Sequence, residues 1–467
     1  MSYLVYLTLL PPIILGFLFV SWLILPTHKG NLLLFLSLGI PVGFGINACL
    51  FFLWSYIFNP SFPGFWLVEL ALIAILLFLN WKQSLNIPAF LPNFKKWSQM
   101  DWVIGAIFII VAAIGLAAFI NYTNANPHGR YDAWAIWNVR ARMIARGGEH
   151  WKTVFIPQVF HADYPLLVPL AIARAWIMAG TESQRIPPAV AGLFTFATSG
   201  ILVGSLFSVA KKQTSWLAGI VLLSTPWVIY FGSLQFADLP LAAFMLAACA
   251  CLCLALFDRP FSARWFILAG LSAGLAAWVK NEGQLFLLVF LVVSIVSIVF
   301  TLKNFKPIKH IGYMSLGLIL PIIVILLFKL TLAPANDVVD TGNLSPAISQ
   351  LFSLPRYGEV INALQVYPKG FGGWAVPIPV AFLLFWLFLR PQINGENKAA
   401  ILTVASLLIL QWVGYFLIYV ITPHQLQSHI NQSYDRLLMH LYPSFLLLLF
   451  LFLPSLEYLF ESPRKTD

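Results

Sequence analysis

Charge is what this sequence has least of. Only 9% of its 467 residues are Asp, Glu, Lys or Arg, against about 25% in soluble domains, which excludes an ordinary water-soluble globule. Cysteine is nearly as scarce. The four cysteines, Cys49, Cys249, Cys251 and Cys253, all lie inside apolar runs with no histidine beside them, which excludes a disulfide framework and offers no metal-binding face. Three kinds of motif are missing as well: a Gly-rich phosphate loop, a nucleophile-elbow serine and an HExxH pair. A nucleotide site, a serine hydrolase and a zinc protease of those types therefore have no sequence support. Low-complexity tracts, obvious repeats and a soluble domain are not visible either.

What is abundant is apolar sequence, 60% of the chain, arranged in runs of about 20 residues, the length a bilayer core demands. The expected fold is an all-α polytopic membrane protein. Thirteen spans are read: 3–25, 31–54, 65–81, 102–121, 187–209, 215–232, 238–257, 264–281, 284–302, 309–332, 371–390, 398–421 and 437–460. The first residues, MSYLVYLTLL, carry no basic flank or small-residue cleavage site and read as a membrane helix rather than a signal peptide. The shorter stretch 165–180 starts at Pro165 and contains Arg174, and it reads as a juxtamembrane helix. The net charge of +10 is an orientation signal rather than a nucleic-acid signal. If 165–180 does not cross, one side collects Lys29, Lys82, Lys95, Lys96, Lys211, Lys212, Arg259, Arg264, Lys303, Lys306, Lys309, Arg390, Lys398, Arg464 and Lys465. That side is the cytoplasm, with the N-terminus outside and the C-terminus inside. The outer side then holds three longer loops, 122–186, 333–370 and 422–436. Residues 1–101 form three N-terminal helices with a cytoplasmic connector, and 102–467 hold the unusual residues.

The first outer loop contains Asp132, Glu149 and Asp163 among Arg130, Arg140, Arg142, Arg146, Lys152, Arg174 and Arg185, with Trp134, Trp137, Trp151 and Trp176 interleaved. Outer loops are ordinarily poor in arginine. The aromatic residues point to short helices lying along the outer interface, and the bland alternative is a surface for anionic lipid. Asp132 follows a Pro-His-Gly turn where a helix would start, and a helix N-terminus stabilises a carboxylate. Asp238 in FADLPLA stands at a membrane boundary, as a functional acid or as a helix N-cap. Lys280, Asn281 and Glu282 interrupt apolar sequence in AWVKNEG, as a structural ion pair or with the lysine as a phosphate contact. Arg436 suits a phosphate, and the loosely spaced His424, His429 and His440 are a weak metal signal. A lipid phosphate held at headgroup level, with its sugar outside, needs a carboxylate base and fixed cations and no nucleotide.

These residues, in this order, resemble the GT-C superfamily of membrane glycosyltransferases, in particular the bacterial protein O-mannosyltransferase-like and lipid A aminoarabinose transferase families. The resemblance covers roughly 102–460. It rests on Asp132 in GRYDAWAIWNVRA, on HADYPLLVPL, on Asp238 opening a later span, on AWVKNEG in place of a Thr-Lys-Gly-like motif, and on Arg436 in SYDRLLMHLYP. Val279 and Asn281 depart from that motif, and Ala133 stands where many relatives carry a second acid. The resemblance implies transfer of a sugar, with inversion, from a polyprenyl-phosphate donor to an extracytoplasmic lipid, glycan or protein acceptor. It makes Asp132 the general base, with Asp238 or Asp163 assisting. Lys280, Arg436, Arg130, Arg140 and Arg142 would hold the donor phosphate, and His161, Tyr164, Glu282 and Trp134 would shape the sugar and acceptor pocket. The resemblance makes no cofactor certain. The superfamily admits a divalent metal, which no ligand set here compels. The expected partners are the lipid-linked donor, membrane lipid and an unidentified acceptor, with no nucleic acid, in a bacterial inner or cell membrane with the site facing the periplasm or exterior. Two other readings are an O-antigen ligase or polymerase, disfavoured because the longest loop comes early, and a transporter or flippase, for which ionisable groups near the midplane and a repeat would be expected.

Overall fold

The computed structural model describes residues 3–24, 31–83, 97–210, 212–257, 263–302, 306–336, 345–365, 370–374, 376–389 and 397–453. Of the orienting basic residues, Lys29, Lys95, Lys96, Lys211, Arg259, Lys303, Arg390, Arg464 and Lys465 lie outside these.

The described residues form helices joined by turns. After a 3-10 turn at Tyr3–Leu9 come α1 (Leu10–Ile24), α2 (Leu32–Ile57), α3 (Phe65–Lys82) and α4 (Gln99–Ala125). The segment after α4 carries α5 (Asn138–Gly147) and α6 (Leu167–Ala179). Then follow α7 (Ile186–Val209), α8 (Lys212–Ser224), α9 (Pro226–Ser233), α10 (Asp238–Phe257), α11 (Ala263–Val279), α12 (Asn281–Thr301) and α13 (Pro307–Thr331). The last group is α14 (Ser345–Leu351), α15 (Leu354–Leu364), α16 (Ile378–Leu389), α17 (Lys398–Ile421) and α18 (Leu426–Leu451).

Among the described residues, ten helices are long and apolar enough to cross a membrane, or eleven if α8 and α9, bent by 59°, make one span. The bend falls where Pro226 lacks the N–H that would continue the α8 ladder. Of the thirteen expected crossings, α11 with 17 residues lies at the lower limit for a straight span, and the described part of α16, with 12 residues, falls below it. Helix α6, with 13 residues, is about 20 Å long at 1.5 Å per residue, less than a bilayer core. A further difference concerns 422–436, expected as a loop. Helix α18 starts at Leu426, so Arg436 sits in its third turn, because a polar sequence continues a helix readily when water or protein, rather than lipid, surrounds it.

Helix α10 is the axis of the bundle, buried along nearly its whole length. It packs on α7, α11 and α18, and α11 packs tightly on α13. Glycines permit that last approach. A Cβ on Gly270 would stand 2.1 Å from the Met314 carbonyl oxygen, and one on Gly317 would stand 2.0 Å from that of Ile267. Small residues at such crossings let helix backbones meet, the main means of tight association where lipid supplies no hydrophobic drive.

The N-terminal helices are tied to α6 by a buried ion pair. Arg174 of α6 bonds Glu69 of α3 and the carbonyl of Thr8, and Asn47 of α2 donates to the other Glu69 oxygen at 2.5 Å. Burying a charge is tolerable only when it is paired and hydrogen-bonded. Breaking such a pair costs about 3–5 kcal/mol, whereas an apolar replacement of both partners is often neutral. Glu69→Leu alone should therefore lower the unfolding free energy of the purified protein by about that amount, and Glu69→Leu with Arg174→Met should recover most of it. Equal loss in the single and double variants would show that the charge pair is not the source.

Candidate active site

The chain reverses between α9 and α10 through Leu234–Ala237, and Asp238 is the first residue of α10. Its side chain has no exposure to solvent. A lone carboxylate there would be strongly penalised, and three donors compensate. Oδ1 accepts from Lys280 Nζ at 3.0 Å and from His440 Nε2 at 2.7 Å. Oδ2 accepts from Arg436 Nε at 3.1 Å, and Arg436 Nη2 stands in ion-pair contact with it at 3.1 Å. His440 Nδ1 lies 3.3 Å from the Tyr415 hydroxyl. Lys280 is the extended residue (φ −151°, ψ 164°) between α11 and α12, which aims its side chain at α10. Its amine also bonds Glu282 Oε1 at 2.9 Å.

The last rung is open. Arg436 Nη1 bonds Asp132 Oδ2 at 2.7 Å, with the two side chains 19% and 15% exposed, and the guanidinium lies 5.1 Å from the Phe236 ring centroid. Asp132, Arg436, Asp238, Lys280 and Glu282 thus form one ladder of alternating charge. Its members come from the segment between α4 and α5, from α18, from α10 and from the α11–α12 junction.

Asp132 is held in place by contacts the sequence does not advertise. A helix opens at Tyr131 and runs through a π-helical stretch, Ala133–Trp137, into α5. Gln235, in the left-handed region at φ 62°, donates to the Pro127 carbonyl at 3.1 Å and accepts from Asn138 Nδ2 at 2.9 Å. The Arg130 amide donates to the Leu234 carbonyl at 3.3 Å. Gly129 (φ 72°) allows this approach, since a Cβ would fall 2.5 Å from that same oxygen. Gln235 therefore registers the Asp132 helix against the start of α10. The available signal was a lone polar residue inside FGSLQFADL.

Asp163 belongs to a second cluster. Its Oδ2 accepts from Asn281 Nδ2 at 2.6 Å and Asn336 Nδ2 at 2.7 Å. Lys329 Nζ lies 3.8 Å from the same oxygen and donates to the Asp163 carbonyl at 2.7 Å and to Asn281 Oδ1 at 2.9 Å. Arg140, fully buried, donates to the carbonyls of Phe160 (3.2 Å), Tyr164 (3.3 Å) and His161. Burial pushes its guanidinium down to about 10, against the pull of Asp163. His161, at φ 51°, stacks on Tyr164 with centroids 4.5 Å apart. The 155–165 strap is thereby pinned from both sides.

The five expected phosphate cations thus separate. Arg140 is committed to backbone carbonyls, and Lys280 to the buried Asp238 and the half-buried Glu282. Arg142 bonds Glu182 at 2.9 Å, which Arg146 also holds at 2.5 and 2.8 Å. The hydrogen bond from Arg146 leads the effects that keep the Glu182 carboxyl below its ordinary range. Arg436 reaches the opening of the ladder, and Arg130 is exposed beside Asp132 in sequence. Trp134 is exposed and packs on Tyr131, with centroids 4.8 Å apart. An apolar cavity of about 370 Å³ between α17 and α18, lined by Leu408, Trp412, Leu441, Tyr442 and Phe445, occupies the face of α18 turned away from Arg436 and His440. Among the described residues no group of three His, Cys, Asp or Glu side chains could hold a metal. Asp132, Asp238 and Glu282 each face a cation instead.

Residues 181–334 match the family model of dolichyl-phosphate-mannose-protein mannosyltransferases. That third of the chain resembles a GT-C membrane glycosyltransferase. It spans α7 to α13 and so includes Asp238, Lys280, Asn281, Glu282 and Lys329, while Asp132, Asp163 and Arg436 lie outside it. No curated protein and no solved structure matches the chain.

If Gln235 registers the two halves of the site, Gln235→Gly should keep thermal stability within a few degrees, because glycine takes the left-handed backbone without strain and offsets the lost hydrogen bonds. The same variant should slow sugar transfer by roughly 10–100-fold, the scale of an ångström-level misplacement. A normal kcat in this variant would remove the positioning role.

Proposed function

We propose that this protein is a glycosyltransferase that moves a sugar, mannose by its family similarity, from a polyprenyl-phosphate donor to an acceptor hydroxyl or amine. The reaction takes place on the outer side of a bacterial inner or cell membrane. The observation that carries this reading is the Asp132–Arg436 pair, partly open to solvent and anchored on the buried Asp238, in a chain of which residues 181–334 match a family of dolichyl-phosphate-mannose-protein mannosyltransferases.

The chemistry divides along the ladder. Arg436 offers a planar fork suited to phosphate oxygens and stabilises the charge left on the lipid phosphate as the glycosidic bond breaks. Asp132 takes the proton from the acceptor as its oxygen or nitrogen attacks the anomeric carbon from the face opposite the phosphate. That single displacement inverts the centre. Asp238 is too enclosed to reach substrate. It anchors Arg436, and Lys280 with His440 keeps that anchor charged and oriented. Tyr131, Trp134 and Phe160, exposed around the opening, suit the headgroup level and the apolar face of a sugar, next to the His161–Tyr164 stack.

The test is full-length protein in lipid nanodiscs with polyprenyl-phosphate mannose and a panel of hydroxylated peptide, glycan and glycolipid acceptors. Transfer is expected, and Asp132→Asn should lower kcat by about 10²–10⁴, the contribution of a positioned base. Undiminished transfer by Asp132→Asn would remove it as the base. Movement of the donor across the bilayer without turnover would replace the enzyme by a transporter.

A further inference from the structure

Asp132 and a donor phosphate require the same arm of the same arginine. Arg436 has two of its nitrogens fixed on Asp238 Oδ2, and Nη1 is spent on Asp132 at 2.7 Å. Lys280 is 2% exposed and engaged by Asp238 and Glu282, so it cannot turn to a ligand without stranding two carboxylates. The ladder as a whole holds three carboxylates against two cations, with His440 between them. Such a site repels an incoming anion unless one carboxylate gives way.

We propose that Arg436 is a latch on Asp132 that the lipid phosphate opens: the phosphate displaces the carboxylate from Nη1, and the displaced carboxylate becomes the free base. This rests on the glycosyltransferase reading above and adds an order of events to it. The two ends of Arg436 differ in the way this requires. Asp238 has no exposure, three donors and a position at the head of the central helix, so it stays. Asp132 is partly open to water, bonded through one oxygen to one nitrogen. It is followed directly by the π-helical turn Ala133–Trp137. A π segment inside an α-helix is a wider, less favourable turn that recurs at functional sites, and tightening it re-aims the residue before it without unfolding α5. The exchange keeps Arg436 doubly paired throughout, so no buried charge is left bare at any stage. It also keeps the base neutralised until a donor is in place, which guards against premature chemistry with water.

The experiment measures binding of polyprenyl phosphate, without sugar, to the full-length protein in nanodiscs, with dodecyl phosphate and inorganic phosphate as arms that separate headgroup from lipid recognition. Removing the competing charge should tighten binding: Asp132→Asn is expected to bind polyprenyl phosphate about tenfold better than the wild type, equivalent to about 1.4 kcal/mol, and Arg436→Gln to bind it far more weakly. Asp132→Ala, which removes the carboxylate by a different route, should agree in direction. Equal or weaker binding by both Asp132 variants, in a protein that still turns over its donor, overturns the latch and leaves the glycosyltransferase reading standing. Absence of binding and of turnover in the wild type overturns both.

Discussion

Everything that brings the site together follows from one buried carboxylate. Asp238 heads the central helix with no access to water, and an unpaired ion in such surroundings is penalised far beyond the net stability of a whole protein. Its partners come from 42 and 198 residues further along the chain. Lys280 reaches it because the α11–α12 junction breaks into one extended residue. Arg436 and His440 reach it because they are four residues apart on one face of α18. Each contact therefore fixes a helix as well as a charge, and the start of α10, the α11–α12 junction and α18 are held in one arrangement by the same four-way pairing.

That logic explains what could be read from the sequence. Ionisable residues in an apolar chain are costly, so those present have a physical reason to be there. Asp132, Asp238, Lys280, Glu282 and Arg436 stand out for that reason, and the structure joins them in a single ladder. The positions of most crossings were legible on the same principle, since lipid demands long apolar runs. The number of crossings was harder, because hydropathy reports composition and not length or bend. Helix α11 is short, α16 shorter, and α8–α9 is bent at a proline.

What the sequence obscured was direction. Arg130, Arg140 and Arg142 are neighbours in a list, yet the helix turns about 100° per residue and sends them to different environments. Arg140 enters the protein to bind carbonyls, and Arg142 leaves toward Glu182. The expected sugar-pocket residues His161 and Tyr164 lie on a strap whose shape depends on Arg140, so a cation expected at the phosphate proves to organise the loop beside it. Gln235 was hidden for another reason: its function lies in a left-handed backbone and two amide bonds, and neither has a signature in composition.

The two clusters meet at adjacent residues, and that adjacency is the tightest constraint on the site. Lys280 faces the Asp238 ladder, and Asn281 faces Asp163 and Lys329. Lys280 is the only extended residue between two helices, so a shift that turns it away from Asp238 also moves Asn281 relative to the strap. The strap borders the opening where Asp132 and Arg436 are exposed, through Phe160, which packs 6.4 Å from Tyr131. A rearrangement at the buried Asp238–Lys280 pair is therefore carried to Asp132 by two routes, one through Arg436 and one through the strap. On Arg436 the two carboxylates are held unequally, Asp238 by three donors away from water and Asp132 by one nitrogen near it, and chemistry that needs a mobile base finds it at Asp132.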